Sequence, residues 1–307
     1  MSRNLLPRPT AVPIALHAAL FAPSFVLFVL LTRLVHAGGH LALAATAGAH
    51  PLGFFSPLVG SDLAYLEYPD LAWSGKMASL PFFVGGIGVC FLAALFVAYL
   101  WPPSFSVPSR LLPLQLAAVL LVHGAAEPLA DFNAWGESRM MTDLLGWPIW
   151  IPVAAVTAGA ALLVAHLSLK AVNLGSVVSH LPDPRRRLLF AAVFFSLPEA
   201  VFQIATFFLG SFDPLRFIVG GFLVAVPLVA VSMIPARPFH QRIDEEGTGR
   251  FAVIGWLLAP ASLVLWFIVF GGFSQPRARG IVWGSPGPTN NIRPETPYRR
   301  LSQMLRR

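Results

Sequence analysis

Residues 215–234 read LRFIVGGFLVAVPLVAVSMI, a stretch in which Arg216 is the one charged side chain. A helix of about 20 mainly apolar residues crosses the roughly 30 Å of hydrocarbon in a bilayer. Comparable stretches recur along the chain and give seven candidate spans. They are approximately residues 22–45, 80–101, 111–130, 149–169, 188–209, 215–234 and 251–271. The sequence therefore predicts an all-α, polytopic integral membrane protein with about seven transmembrane helices.

The composition of the 307 residues agrees with this fold class. Apolar residues make up 56% of the chain and charged residues 11%, and the mean hydropathy is +0.70. A soluble domain has about 25% charged residues, so most of this surface must face the lipid bilayer. The net charge of +7 resides largely in short loops and the C-terminal end, which is typical of membrane orientation and not of a nucleic-acid partner. Cys90 is the single cysteine, so an intrachain disulfide is excluded.

The chain divides into a transmembrane helical domain, residues 1–272, and a basic C-terminal tail, residues 273–307. The tail holds seven of the 21 Lys and Arg residues among Pro, Gly and Asn, a composition that cannot bury a core. We expect it to be extended or to lie on another membrane protein subunit. The remaining basic residues concentrate in alternate loops, which predicts a cytoplasmic N-terminus, although seven spans then place the basic tail on the other side. These loops are residues 1–11, 102–110, 170–187 and 235–250.

Two histidines stand near the end of the first span, in the sequence His36-Ala37-Gly38-Gly39-His40. On a helix, the i, i+4 spacing places both imidazoles on one face, at a separation suited to a single tetrahedral metal ion. The same histidines could instead pack against a neighbouring helix through the notch at Gly38 and Gly39. Spacing alone leaves both interpretations open.

A second group of ionisable residues lies in the third and fifth spans. His123, Glu127 and Asp131 follow one another at i, i+4 and i+8, and Glu199 stands in the middle of the fifth span. Ionisable groups at membrane depth are costly and mark functional sites by default. These residues could bind a metal, relay protons or stabilise a cation. Alternatively, Glu127 is hydrated, His123 bonds a backbone carbonyl, and Glu199 is protonated or paired with a donor such as His166.

The stretch Leu34–Ala45, LVHAGGHLALAA, resembles the first metal-binding helix of the site-2-protease type of intramembrane zinc metallopeptidases, the M50 family, whose compact members read LVHExGHALAA. The segment Glu137–Pro148 is similar to an acidic and Leu-rich segment that follows in that group. The resemblance covers about 30 of the 307 residues. It implies a Zn2+ site with His36, His40 and Glu137 as metal ligands.

One position departs from the pattern of that family. The family has a glutamate directly after the first histidine, which acts as general base on the zinc-bound water, whereas Ala37 stands there in this chain. A methyl group accepts no proton, so this mechanism is lost unless Glu127 or Glu137 supplies a catalytic base from another helix. We therefore expect a zinc-binding, M50-like membrane protein without peptidase activity, either a pseudoenzyme or a disabled protease.

Two other functions are open on the sequence alone. An accessory or scaffolding subunit of a larger membrane complex would hold its tail, residues 273–307, against a partner and would need no metal. A membrane enzyme acting on a lipid or isoprenoid would use His123, Glu127, Asp131 and Glu199 to donate protons or to stabilise a carbocation. The first of these predicts a tail held by another protein, and the second predicts carboxylates lining a lipid-accessible pocket.

Overall fold

The computed structural model of the chain describes residues 14–46, 50–57, 63–67, 80–100, 107–130, 142, 146–179, 184–208, 214–233, 257, 260–261, 264 and 280–284. These residues are mainly helical. The α-helices are α1 (Ile14–Thr46), α2 (Leu80–Leu95), α3 (Val107–Leu121), α4 (Glu127–Leu129), α5 (Trp150–Ser179), α6 (Pro184–Ala191), α7 (Leu197–Phe208) and α8 (Pro214–Ser232). Three π-helical turns join or extend them: π1 (Phe96–Leu100), π2 (Val122–Ala126) and π3 (Ala192–Ser196). The strands are β1 (His50–Pro57), β2 (Leu63–Glu67) and β3 (Gly280–Gly284).

Five of the described helical stretches are long and apolar enough to cross a membrane, as expected of a multi-pass membrane protein. They coincide with five of the seven predicted spans. The second predicted span corresponds to a shorter apolar helix, Val84–Leu100, and the seventh lies almost entirely outside the described residues. The five stretches are Ser24–Thr46, Arg110–Leu129, Trp150–Leu174, Pro184–Ala205 and Pro214–Ser232.

The stretch formed by α3, π2 and α4 is the centre of the bundle. Of the apolar window in Arg110–Leu129, 78% is buried inside the protein, against 28% in Pro214–Ser232. The central helix packs against α1, α2 and α5. Polar side chains on this segment are therefore surrounded by protein and kept away from lipid.

Two glycines set the close crossing of α1 and α2. A Cβ on Gly39 would lie 2.5 Å from the carbonyl oxygen of Gly85, and a Cβ on Gly85 would lie 2.6 Å from that of Gly39. Any larger residue at either position would push the backbones apart. The notch predicted at Gly38 and Gly39 is thus formed by Gly39, since a Cβ on Gly38 would meet nothing within 4 Å.

A three-stranded antiparallel sheet in the order β2-β1-β3 accompanies the helices and was not predicted. In it His50 pairs with Glu67, and Gly53 pairs with Gly284. The all-α expectation therefore holds for the bundle and not for these segments. Their strands are short and show no clear apolar alternation, and β1 contains Pro51 and Gly53, which are uncommon inside strands. The sheet packs against α1. Because β3 comes from the predicted tail, part of that tail pairs with its own chain.

Candidate functional site

The two predicted metal-ligating histidines of α1 point their ring nitrogens at each other. Nε2 of His36 lies 3.0 Å from Nε2 of His40, and the two residues are 3% and 5% exposed. Nδ1 of His36 donates a hydrogen bond of 2.7 Å to the carbonyl oxygen of Gly124. That bond fixes the tautomer of a neutral His36 and directs the lone pair of Nε2 toward His40. Metal-ligating histidines use their second nitrogen in this way.

A glycine and a cysteine close the space around the histidine pair. A Cβ on Gly86 of α2 would lie 2.5 Å from Cε1 of His36 and 2.6 Å from Nε2 of each histidine. Sγ of the buried Cys90 lies 4.0 Å from Nδ1 of His36. Among the described residues, two imidazole nitrogens thus converge here as potential metal ligands. The predicted third ligand, Glu137, lies outside the described residues.

A separate ionic network centres on His123 in π2. Its Nε2 lies 2.7 Å from Oε2 of Glu199, and its Nδ1 lies 2.9 Å from Oε2 of Glu127, an ionic contact whose angle is not that of a hydrogen bond. The three residues are at most 5% exposed. Their ligand atoms lie within 4.8 Å of one another, so the group could hold a metal ion.

Two further side chains complete the contacts of the carboxylates. Gln203, one helical turn after Glu199, donates a 2.9 Å hydrogen bond to Oε1 of Glu199 and a second hydrogen bond to Oε1 of Glu127. Nη2 of Arg216 donates to Oε2 of Glu127 over 3.1 Å. These five residues form the ionic network: His123, Glu127, Glu199, Gln203 and Arg216. With His123 protonated, two cationic groups face two carboxylates, so the ionic network is electrically neutral. Pairing of this kind is what allows charges to remain inside a bundle.

The helices around the ionic network leave room for its side chains and pack closely against them. A Cβ on Gly220 of α8 would lie 2.6 Å from Nε2 of Gln203 and 3.1 Å from Oε1 of Glu127. The ring of His123 is met edge-on by Phe202, with centroids 4.8 Å apart, and by Phe25, with centroids 5.8 Å apart. A small cavity beside Glu199 has room for about one water molecule.

The π2 turn connects the two polar sites. His123 belongs to the ionic network, and the carbonyl oxygen of the next residue, Gly124, accepts the hydrogen bond from His36. Gly124 itself is tightly enclosed, because a Cβ there would lie 2.5 Å from Sγ of Cys90. π-helical turns occur frequently at functional sites. Here one turn of backbone positions a residue of each site.

The structure divides the polar residues predicted from the sequence into these two sites. Glu127 is buried, so its interpretation as a hydrated interfacial residue is wrong. Glu199 pairs with His123, whereas the suggested donor His166 stacks on Tyr99 with ring centroids 5.8 Å apart. The predicted Asp131 lies outside the described residues, as Glu137 does.

Three functional positions were missed in the sequence. Arg216 was noted only as the one charged side chain of its predicted span, although its place four residues before Gly220 puts both on one face of α8, toward the network. Gly86 and Gly124 carry no side-chain chemistry, so only the packing of α2 and π2 against α1 reveals their role. A glycine inside an apolar helix is the single signal that could have identified them.

Comparison with known proteins finds no matching family model, no matching curated sequence and no matching solved structure.

Proposed function

We propose that this protein is a metal-binding, M50-like multi-pass membrane protein whose metal, Zn2+, is held by His36 and His40. The observation that carries the proposal is the convergence of two buried Nε2 atoms at 3.0 Å, with Nδ1 of His36 bonded to the carbonyl of Gly124. Two nitrogens on one tetrahedral zinc ion, each about 2.0–2.1 Å from it, lie only slightly farther apart than this. Glu137 is the proposed third ligand.

The ionic network is the competing metal site, and its charge argues for a different role. Both ring nitrogens of His123 already face carboxylate oxygens, and Arg216 pairs with Glu127. A dication could enter only if a proton left or Arg216 moved. We assign the network to holding α7 and α8 on the central helix, and the metal to the histidine pair.

Metal content of the detergent-purified protein tests this assignment. We expect near one zinc per chain in the parent protein and near none in His36→Ala or His40→Ala. His166→Ala, outside both sites, is the matched control and should keep its metal. Loss of metal in Glu199→Gln with retention in His36→Ala would assign the ion to the network instead, and absence of any metal from the parent protein would end the proposal.

In this proposal the protein has no peptidase activity, because Ala37 follows the first histidine at the position where the family has its general-base glutamate. Ala37 is 1% exposed, and among the described carboxylates Glu127 is engaged by Arg216 and Gln203. We expect the parent protein to leave a transmembrane reporter peptide uncleaved and Ala37→Glu to gain zinc-dependent cleavage. A zinc-loaded, folded Ala37→Glu protein without activity would show that more than this glutamate separates the chain from a peptidase.

The two alternative functions receive less support. The cavity described beside Glu199 is too small for an isoprenoid chain, and Trp147 and Trp150 are 50% and 66% exposed, as expected of an interfacial belt and not of a pocket lining. For an accessory subunit, the one described segment of the tail, Gly280–Gly284, pairs with β1 of the same chain.

The finer topology belongs to the same proposal: seven spans, with a cytoplasmic N-terminus. Cys90 is buried and should not react with a membrane-impermeant maleimide. Ser2→Cys and Ser302→Cys, introduced one at a time, should therefore report opposite sides of the membrane in oriented vesicles. Labelling of both from the same side would show an even number of spans.

A further inference from the structure

Arg187 carries a buried guanidinium group that has no partner among the residues that the structure describes. The residue is 2% exposed, and within the described part of the chain none of Nε, Nη1 and Nη2 has a hydrogen-bond partner. A guanidinium group presents five N–H donors and stays charged in proteins. Leaving such a group both desolvated and unpaired is strongly unfavourable, so the arrangement calls for an anion.

The carboxylates that the structure describes do not supply this anion. They are Glu67 of β2 together with Glu127 and Glu199. The latter two are engaged in the ionic network with His123, Gln203 and Arg216. No described ion pair includes Arg187, so an anion from outside the described residues must compensate its charge.

The place of Arg187 in the chain favours an anion at the membrane surface. It lies in the first turn of α6, where the candidate span Pro184–Ala205 begins. Arg185 and Arg186 precede it, and both are exposed. The first turn contains no acidic residue. Three cations at the positive end of a helix interact unfavourably with the helix dipole. An anion bound there would interact favourably with the cations and with the dipole.

Apolar groups lie directly below this charge on the same helix face. Phe190 and Phe194, three and seven residues after Arg187, are 0% and 1% exposed and stack with ring centroids 5.5 Å apart. Long side chains on a helix lean toward its N-terminus, a tendency that favours a guanidinium group directed toward the first turn. An arginine side chain is also long and flexible, so its charged end can reach a lipid headgroup while its methylenes stay in apolar surroundings.

We propose that Arg187, assisted by Arg185 and Arg186, binds the phosphate group of an anionic phospholipid at the membrane surface where α6 begins. A guanidinium fork matches two phosphate oxygens, and the lipid places such a group at this depth. Free inorganic phosphate has the same chemistry, and the experiment separates the two sources. The site does not depend on the metal proposed for His36 and His40.

The test measures lipid binding and thermal stability of the full-length protein. Native mass spectrometry compares retention of phosphatidylglycerol and phosphatidylcholine, and Tm is measured in nanodiscs of each lipid and in phosphatidylcholine with millimolar inorganic phosphate. Arg187→Met removes the charge and keeps a long apolar side chain. Arg186→Met, in the same turn but exposed, is the matched control.

We expect the parent protein to prefer phosphatidylglycerol and to gain stability in it. Arg187→Met should bind this lipid about tenfold to hundredfold more weakly, the loss expected for a hydrogen-bonded charged contact. Arg186→Met should lose only about fivefold, the effect of one surface cation. Phosphatidylcholine also carries a phosphate, but its choline cation already neutralises that charge. In this lipid, Arg187→Met should therefore be as stable as the parent protein or more stable, because a buried charge without an anionic lipid to compensate it is gone.

Three results would overturn the proposal. The first is equal retention of the two lipids by the parent protein, a result that does not depend on any variant folding. The second is a loss of stability of Arg187→Met in phosphatidylcholine, which would show that a group of the protein itself holds the guanidinium. The third is an equal rise in Tm with inorganic phosphate and with phosphatidylglycerol, which would replace the lipid by free phosphate.

Discussion

Gly86→Ala should disrupt the histidine pair while leaving the ionic network intact. The new Cβ would lie 2.5 Å from Cε1 of His36 and 2.6 Å from Nε2 of His40. Ordinary van der Waals contact begins at 3.4 Å, so the rings or α2 must move by about 0.9 Å. His36 has little freedom to move, because its Nδ1 is bonded to the carbonyl of Gly124 and the residue is buried.

A displacement of this size exceeds what a metal site tolerates. Metal–ligand distances hold within about 0.2 Å, and misdirected ligands cost about tenfold to a hundredfold in metal affinity. Overpacking adds about 1–3 kcal/mol of lost stability. We therefore expect Gly86→Ala to purify with far less than one zinc per chain and to have a lowered Tm.

Gly88→Ala, half a turn along the same helix, is the matched control for this prediction. Its Cβ would meet only Cγ1 of Val84 at 3.7 Å, an ordinary contact. Metal content and Tm are measured for both variants, by elemental analysis and by thermal unfolding in detergent. Equal zinc content in Gly86→Ala and Gly88→Ala, with zinc present in both, would refute the placement of the ion at the histidine pair.

Three further predictions concern the ionic network and the helix crossing. Glu199→Gln removes one charge from a buried ion pair and should lower stability by about 3–5 kcal/mol in chemical unfolding, without changing the zinc content. Gly220→Ala should lower Tm through its contacts with the network, whereas Gly221→Ala, whose Cβ would meet nothing within 4 Å, should not; similar Tm values for the two would contradict the described packing of α8. Gly39→Ala should separate α1 from α2 and lower Tm by several times the effect of Gly38→Ala, and a larger effect at Gly38 would reverse the proposed crossing face.

Apolar run length was sufficient to predict most of the bundle. Five predicted spans coincide with membrane-length helices because a span is a local property, readable from about 20 residues. The sheet was missed because its pairing is not local. Gly53 meets Gly284 across more than two hundred residues, and neither strand has a clear alternating pattern of its own.

The residues of the candidate site that share a helix could be predicted from the sequence, whereas the contacts between side chains of different helices could not. Intrahelical spacing brought His36 and His40 together, and likewise His123 and Glu127, since i and i+4 share a face on any helix. Contacts between helices depend on rotation and depth, which composition does not encode. The alternative of a paired Glu199 is confirmed, but its partner is His123 and not the suggested His166, and the inward direction of Arg216 was missed.

The π2 turn holds one more residue than an α-helical turn would need for the same closure, as seen in the bond from the N–H of Glu127 to the carbonyl of Val122. Because the turn confines the extra residue to itself, deleting a single residue from Val122–Ala126 would restore regular α-helix and leave the residues after it on nearly the same face. Glu127 would keep its direction toward Arg216, whereas the ring of His123 and the carbonyl of Gly124, which lie inside the turn, would lose their present placement. The loss of one codon here would thus act as a local lesion, able to damage both polar sites while leaving the phase and the membrane-spanning length of the helix almost unchanged.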